Sequence, residues 1–273
     1  MKIATKWVHQ TEKREGLASS KENQNKWRVD GVWYKADGLG YEALAEVLVS
    51  RLLEKSSIND FVQYEYEPLE WKETTFHGCR SRDFMTEEDD KIVSVERLFQ
   101  TFEGESAAKA VLKYCETADR IKYVAEHVEQ FTGICHFGEY LRKLLTVDAL
   151  FLNEDRHFHN IAVIRKKDGS CRECPLFDQG ASLFSDLKGD YPLQLDLQKC
   201  CEKIQAKPFS TDFDRQLDAC ETLYGGFRFR AWFTMKDVES VLMEFKGIYE
   251  EAELKRVQEV MRMQIRKYAY LFS

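Results

Sequence analysis

The chain has no run of about 18 consecutive apolar residues, the length that a membrane-spanning helix requires. Its first residues, MKIATKWVHQTEKREG, lack the apolar core of a secretory signal. A cytoplasmic protein with no membrane span is the expectation. There is no excess of positive charge: 40 Lys and Arg against 47 Asp and Glu give a formal net charge of -7, which argues against a surface built to grip a nucleic-acid backbone directly. Low-complexity tracts, internal repeats and heptad arrays are missing as well. So are Cys or His pairs at zinc-finger spacing. The eight cysteines include one CxxC, Cys171 and Cys174, and an adjacent pair, Cys200 and Cys201. Without a second pair or a secretion signal these read as reduced thiols, not as a zinc site or a disulfide framework. What is there is a chain of 273 residues, 44% hydrophobic and 32% charged. That is enough for a sizeable core and for one two-lobed unit instead of several independent domains.

Chemistry-bearing residues concentrate in one stretch, LFLNEDRHFHNIAVIRKKDGSCRECPLFDQG, from Leu150 to Gly180. An apolar helical run from Phe137 to Phe151 ends at Asn153 and Glu154 and delivers Asp155, with Asn160 five residues later. A β-branched segment, Ile161 to Ile164, runs into Lys167-Asp168-Gly169, a hairpin turn signal. The chain then returns through Pro175, Leu176 and Phe177 to a second carboxylate, Asp178. Phosphoryl transfer needs little covalent help from a protein. It needs one carboxylate to orient the attacking hydroxyl, and oxygen ligands to hold Mg²⁺ against the phosphates. Asp155 suits the first role, Asn160 and Asp178 the second. Taken singly, each of the three is ordinary turn chemistry; the order and spacing of all three point to a site. His157 and His159 flank the loop, but a third ligand at similar spacing is missing, so a zinc site there is not expected.

DRHFHN followed by PLFD resembles the catalytic and metal-binding segments of HipA-like serine/threonine kinases, whose catalytic loop has the form D-x-H-x-x-N. The same string is similar, more distantly, to the phosphoinositide kinases. The similarity spans roughly residues 15 to 190. Unlike ordinary protein kinases, the chain has no His-Arg-Asp loop, no Asp-Phe-Gly and no Ala-Pro-Glu. The resemblance implies an α+β, bilobal protein-kinase-like fold. Its N-lobe would be a small antiparallel sheet over residues 1–90, carrying a nucleotide-covering loop. Its C-lobe would be mainly helical over residues 91–273, carrying the catalytic loop and the metal-binding hairpin. It also implies ATP and Mg²⁺ as cofactors, Asp155 as the catalytic carboxylate, Asn160 and Asp178 as metal ligands, and His157 beside the nucleotide, buttressing the loop by hydrogen bonding. The implied partners are a protein substrate with a Ser or Thr acceptor and an antitoxin-like regulator of a toxin-antitoxin pair. Relative to longer members, the chain reads as a minimal catalytic core.

The first third of the sequence fits that expectation. Residues 2–9 can form a strand, and Gln10 to Gln24 a polar loop. Asp30-Gly31 is a tight-turn signal between strands Lys26 to Val29 and Val32 to Lys35. Phosphate-covering loops are usually glycine-rich; this one has Gly16 with Ser19 and Ser20, which are expected near the phosphates and are candidates for inhibitory self-phosphorylation. Lys35 at a strand end would hold the α and β phosphates, steadied by a glutamate on the following helix, Gly40 to Glu54. That helix reads as amphipathic, with Leu44, Val47, Leu48 and Leu52 on one face. Glu46 is the expected partner and Glu42 the reserve. Phe61 to Tyr66 and Thr75 to Cys79 read as further strands. Arg82 to Met85 would cross between lobes, bringing Asp83 and Met85 to the adenine. Beyond Gly180, helical patterns at Phe213 to Leu223, Met235 to Phe245 and Ala252 to Tyr270 read as scaffold, and Lys207-Pro208-Phe209 as linker. Two rival functions remain: a lipid or small-molecule kinase of the same fold, and an inactive nucleotide-binding interaction module.

Overall fold

A computed structural model describes residues 6–7, 25–71, 73–85, 87, 90–225 and 229–272. The N-terminal lobe holds strand β1 (Lys6–Trp7), then β2 (Lys26–Val29) and β3 (Val32–Ala36). Helix α1 (Glu42–Leu53) follows, then β4 (Glu65–Tyr66), β5 (Leu69–Trp71), β6 (Thr74–Phe76) and β7 (Gly78–Arg82). Asp30 and Gly31 turn the β2–β3 hairpin with φ of 51° and 74°, the left-handed pair that a two-residue turn needs. These strands form a four-stranded antiparallel sheet in the order β2-β3-β7-β4 and a three-stranded sheet in the order β1-β5-β6.

The sheet alternates as a half-buried sheet must. Trp27, Tyr34 and Ala36 point to one face and pack with Leu69 and Trp71 in a small separate core, where the two indoles meet edge-on at 5.7 Å. Lys26, Trp33, Lys35 and Ser81 point to the other face, toward the rest of the molecule. Gly78 is required where the strands crowd: a Cβ there would lie 2.7 Å from the Lys35 carbonyl oxygen.

The remaining residues are mainly helical. A second antiparallel sheet, β8 (Lys91–Ser94), β9 (Ala162–Arg165) and β10 (Cys171–Glu173), is ordered β10-β9-β8. The helices are α2 (Val95–Phe102), α3 (Ala107–Ala110), α4 (Thr117–Thr132), α5 (Phe137–Phe151), α6 (Leu197–Lys203), α7 (Phe213–Leu223), α8 (Met235–Glu244) and α9 (Glu251–Lys267). The fold class is the expected one, α+β and bilobal, with small, largely antiparallel sheets in the first lobe and mainly helices in the second. No helix among the described residues is long and apolar enough to cross a membrane.

Several local expectations are corrected. Phe61 to Tyr64 is not a strand of the sheet. Its backbone turns instead to the segment that follows the β9–β10 hairpin, where the Val62 amide donates to the Leu176 carbonyl at 2.8 Å and the Leu176 amide to the Asp60 carbonyl at 3.0 Å. Thr75 to Cys79 splits into β6 and β7 at His77, whose carbonyl accepts from the Asp37 amide at 2.8 Å. Of the strand expected over residues 2–9, β1 is the described part, and it runs parallel to β5.

Helix α1 is not amphipathic in place. Every residue from Glu42 to Leu53 except Arg51 is buried, because β7 covers one side and α8 another. Tethers reinforce this clamp. Lys55 pairs with Asp237, the Trp232 amide donates to the Lys55 carbonyl at 2.8 Å, and the Tyr249 hydroxyl donates to Asp37 at 2.7 Å.

Candidate active site

Strand β3 and helix α1 bring Lys35 and Glu46 together inside the protein. The Lys35 ammonium pairs with Glu46 Oε1, with Asp178 Oδ1 at 2.7 Å and with the Tyr64 hydroxyl at 3.3 Å. Burial alone would lower this ammonium, but Asp178 and Glu46 together hold it well above its ordinary value. Glu46 is fully buried, and its other oxygen accepts from the Gln179 amide at 2.8 Å, so one carboxylate ties the strand lysine to the hairpin that carries Asp178. Glu42 faces elsewhere. Its carboxylate accepts from the amides of Gly38, Leu39 and Gly40 at 3.2, 2.6 and 2.9 Å, fixing the loop that leads into α1.

Helix α5 ends at Leu152 in the left-handed region, φ 58°, which turns the chain sharply into the loop that follows. Arg156 is the organiser of that loop. Its guanidinium is completely buried and forks onto Asp148 of α5 at 2.8 and 3.0 Å. It donates further to the carbonyls of Asn160 at 3.0 Å, Phe177 at 3.0 Å and Asp178 at 3.4 Å. Asn153 adds a second brace, donating to Asp148 Oδ1 at 3.2 Å and to the Asp178 carbonyl at 3.1 Å. The segments bearing Asp155, Asn160 and Asp178 are therefore one hydrogen-bonded unit. Asp178 itself has φ 62°, a left-handed conformation that costs a non-glycine residue energy and that recurs at functional sites. Burial would push its carboxyl up, but Lys26, Lys35 and Arg156 more than offset this and hold it far below the usual carboxylate range.

Two observations bear on metal binding. Asn160 donates through Nδ2 to the Asp155 carbonyl at 3.3 Å, which fixes the amide's orientation and leaves Oδ1 buried with no hydrogen-bond partner among the described residues. An orphaned buried amide oxygen and an ionised carboxylate are hard oxygen donors, the kind that Mg²⁺ takes alongside phosphate and water. Among the described residues no group of three His, Cys, Asp or Glu side chains is gathered for a soft or structural metal.

A cavity of about 370 Å³ opens between the lobes beside this unit. Lys26, Lys35 and Asp178 line its polar end, and Phe84, Met85, Ile92 and Phe177 its apolar part. The rings of Phe84 and Phe177 lie 5.9 Å apart. Met85 lines the cavity, whereas Asp83 borders a neighbouring one. The Asp83 carboxylate pairs with Arg28 at 2.7 Å and accepts from the Met85 amide at 3.1 Å, so its work lies in shaping the crossing between lobes.

Asp155 is buried, and its carboxylate lies 3.2 Å from the Lys207 ammonium and 3.8 Å from His157 Nε2. The latter is beyond hydrogen-bond reach. His157 supports the loop through its backbone, its amide donating to the Asp155 carbonyl at 2.9 Å and its carbonyl accepting from the Asn160 amide at 2.8 Å. Burial lowers its imidazole below the ordinary value. Ser19 and Ser20 lie outside the described residues.

Three residues at the site escaped the sequence reading: Lys26, Asp90 and Lys207. Lys26 stands opposite Lys35 in the β2–β3 register, a pairing that the Asp30-Gly31 turn makes computable. Asp90 is buried on the cavity wall, in a stretch that looks like any acidic loop. Lys207 lies in the segment read as a linker. That segment is in fact fixed: Phe209 is buried, and Gln216 brackets the turn, accepting from the Phe209 amide at 2.9 Å and donating to the Lys207 carbonyl at 3.2 Å.

No protein-family model matches the chain, and no curated protein matches it. Solved structures do. The crystal structure of a Helicobacter pylori proinflammatory kinase, CtkA, aligns with a TM-score of 0.60 at 15% identity, over 91% of this chain and 92% of that one. The HipA protein of Shewanella oneidensis MR-1, solved with HipB and operator DNA, aligns with a TM-score of 0.49 at 12% identity, over 96% of this chain and 66% of that one. The first alignment shows that the chain shares its fold with that kinase over nearly the whole of both chains.

Proposed function

We propose that the chain is an ATP- and Mg²⁺-dependent kinase that transfers the γ-phosphate to a Ser or Thr hydroxyl of a protein, with its lobes divided near residue 90. The observation that carries this reading is the unit that runs from Lys35 through Glu46 and Asp178, and by way of Arg156 to Asn160, whose side-chain amide oxygen is orphaned. A structural ion-pair network would have no use for a buried carbonyl oxygen left without a donor.

In this reading the apolar wall of Phe84, Met85, Ile92 and Phe177 takes the adenine, and the buried Asp90 carboxylate accepts from a ribose hydroxyl. Lys35, steadied by Glu46, holds the α and β phosphates. Asp178 and Asn160 hold the metal through oxygen. Bound magnesium ATP supplies the transferable phosphoryl group and the cation that neutralises its charge. Asp155 accepts a hydrogen bond from the acceptor hydroxyl, aims its oxygen at the phosphorus and takes its proton as ADP leaves. Lys207, beside Asp155, supplies a positive charge next to the transferring group. Arg156 and Asn153 keep these groups in mutual register. An antitoxin-like regulator rests on the motif resemblance alone and is testable by co-purification of the chain from its own cell.

The deciding experiment is incubation with labelled ATP and Mg²⁺, with wild-type, Asp155→Ala and Asp178→Ala chains compared. Label should enter protein only with the wild type. Nucleotide binding measured with Mg²⁺ should fall strongly in Asp178→Ala and little in Asp155→Ala. Near-normal transfer by either variant would remove the assignment, and label passing to lipid or a small molecule instead of protein would move the acceptor class.

A further inference from the structure

Lys26 and Lys35 are directly opposed in the β2–β3 ladder, so both side chains leave the sheet on the same face and enter the same cavity. Like charges opposed across a ladder are destabilising unless an anion lies between them. Here that anion is Asp178, whose Oδ1 accepts from Lys35 at 2.7 Å and from Lys26 at 3.3 Å. The two lysines are not equivalent. Lys35 has Glu46 and Tyr64 as further partners, whereas Asp178 is the one partner of the Lys26 ammonium among the described residues.

A divalent cation arriving at Asp178 competes with both ammoniums for the same carboxylate. Lys35 can fall back on Glu46. Lys26 is left with no counter-charge unless the incoming ligand brings one, and a triphosphate does. We propose that Lys26 is a second phosphate-binding cation, which guards the Asp178 carboxylate while the site is metal-free and passes to the triphosphate when magnesium nucleotide enters. The inference rests on the kinase reading of this site and adds to it a cation that neither the motifs nor the comparisons assign.

The exchange has a thermodynamic signature that a merely structural lysine lacks. Removing the Lys26 charge takes away a competitor for the metal and, at the same time, a contact to the phosphates. Metal-alone affinity must then rise, and metal-nucleotide affinity, which gains the same release but loses the phosphate contact, must lose that rise or fall below wild type. The test is a Lys26→Met substitution in the full chain, with Lys26→Arg as the charge-preserving control. Mn²⁺ binding is followed by electron paramagnetic resonance without nucleotide, and binding of a non-hydrolysable ATP analogue with Mg²⁺ by calorimetry. In Lys26→Met, Mn²⁺ alone should bind more tightly by roughly ten- to a hundred-fold, the range for one charge-assisted hydrogen bond, and the analogue with Mg²⁺ should show no such gain. Lys26→Arg should stay near wild type in both. If both affinities weaken together in Lys26→Met, Lys26 only supports the sheet and the proposal is overturned; an analogue affinity that rises as far as that for Mn²⁺ alone overturns it equally, since no phosphate contact is then lost. Should the wild-type chain bind Mn²⁺ but no magnesium nucleotide, the kinase reading itself falls and the proposal falls with it.

Discussion

Replacing Asp148 by Asn changes one atom of a buried side chain and should cost the protein a large share of its stability. Asp148 and Arg156 are 1% and 0% exposed, so their charges are not screened by solvent. Arg156 cannot shed its proton in a protein. In Asp148→Asn the guanidinium therefore stays charged, without a counter-ion, and one of its N–H groups meets the new amide NH₂ donor to donor. Breaking a buried pair this way costs about 3–5 kcal/mol. A chain of this size shifts by roughly 2 °C or somewhat more per kcal/mol, so the melting midpoint should fall by about 6–12 °C. A double variant, Asp148→Leu with Arg156→Met, sharpens the test. Swapping a buried ion pair for apolar side chains is often neutral, but Arg156 also satisfies the carbonyls of Asn160, Phe177 and Asp178. The double variant leaves the Asn160 and Phe177 carbonyls without this donor at about 1–3 kcal/mol each, the Asp178 carbonyl keeping Asn153, and should remain clearly less stable than wild type. Thermal and urea denaturation at neutral pH decide it. A midpoint within about 2 °C of wild type for Asp148→Asn, or full recovery in the double variant, would refute the role given to Arg156.

Further outcomes follow from the same geometry. Lys35→Ala should reduce transfer by orders of magnitude and Glu46→Ala by less, with the double variant no worse than Lys35→Ala, because the glutamate acts through the lysine; strictly additive losses in steady-state rates would contradict this. Lys207→Ala should lower kcat by roughly ten- to a hundred-fold while leaving nucleotide affinity in place, since Lys207 stands at Asp155 and not on the cavity wall; an effect on KM for ATP alone would reassign it. The His77 ring accepts or donates at Nδ1 to the Tyr66 hydroxyl at 2.9 Å and lies 4.7 Å from the Tyr249 ring. Burial holds its imidazole below the ordinary value. The unfolded chain thus binds a proton near pH 6.5 that the folded chain refuses. The stability this group contributes is complete above that pH and declines as pH falls through the lower folded value. Melts of wild type and His77→Phe from neutral to about pH 5 should show the difference between them shrinking with acid, and a constant difference would exclude this linkage.

What could be read in advance is what local chemistry dictates. Asp30-Gly31 and Lys167-Asp168-Gly169 announce their hairpins because few other dipeptides take left-handed φ, and α5 and α7 fall on the residues that their apolar periodicity marks. Asp155, Asn160 and Asp178 were legible as a set because their order within one stretch is itself a constraint. Long-range partners were not. The segment from Phe61 to Tyr64 has the alternation of a strand, yet the backbone it bonds to arrives only with Leu176. The faces of α1 could not be told apart, since α8, which covers one of them, lies far down the chain. Glu42 and Glu46 share a helix face in any register; the loop amides that claim Glu42 are what separate them. Lys207 offers no signal at all: a lysine before proline in a polar stretch says nothing of a carboxylate 52 residues earlier.

The clamp on α1 also sets a timetable for synthesis. Lys55, just beyond this apolar helix, and its partner Asp237 are separated by 182 residues, which at the ~5–20 residues per second of translation is a wait on the order of ten to forty seconds. Throughout that wait the face of α1 destined for α8 stands uncovered on the nascent chain, a surface for chaperones and a liability for aggregation.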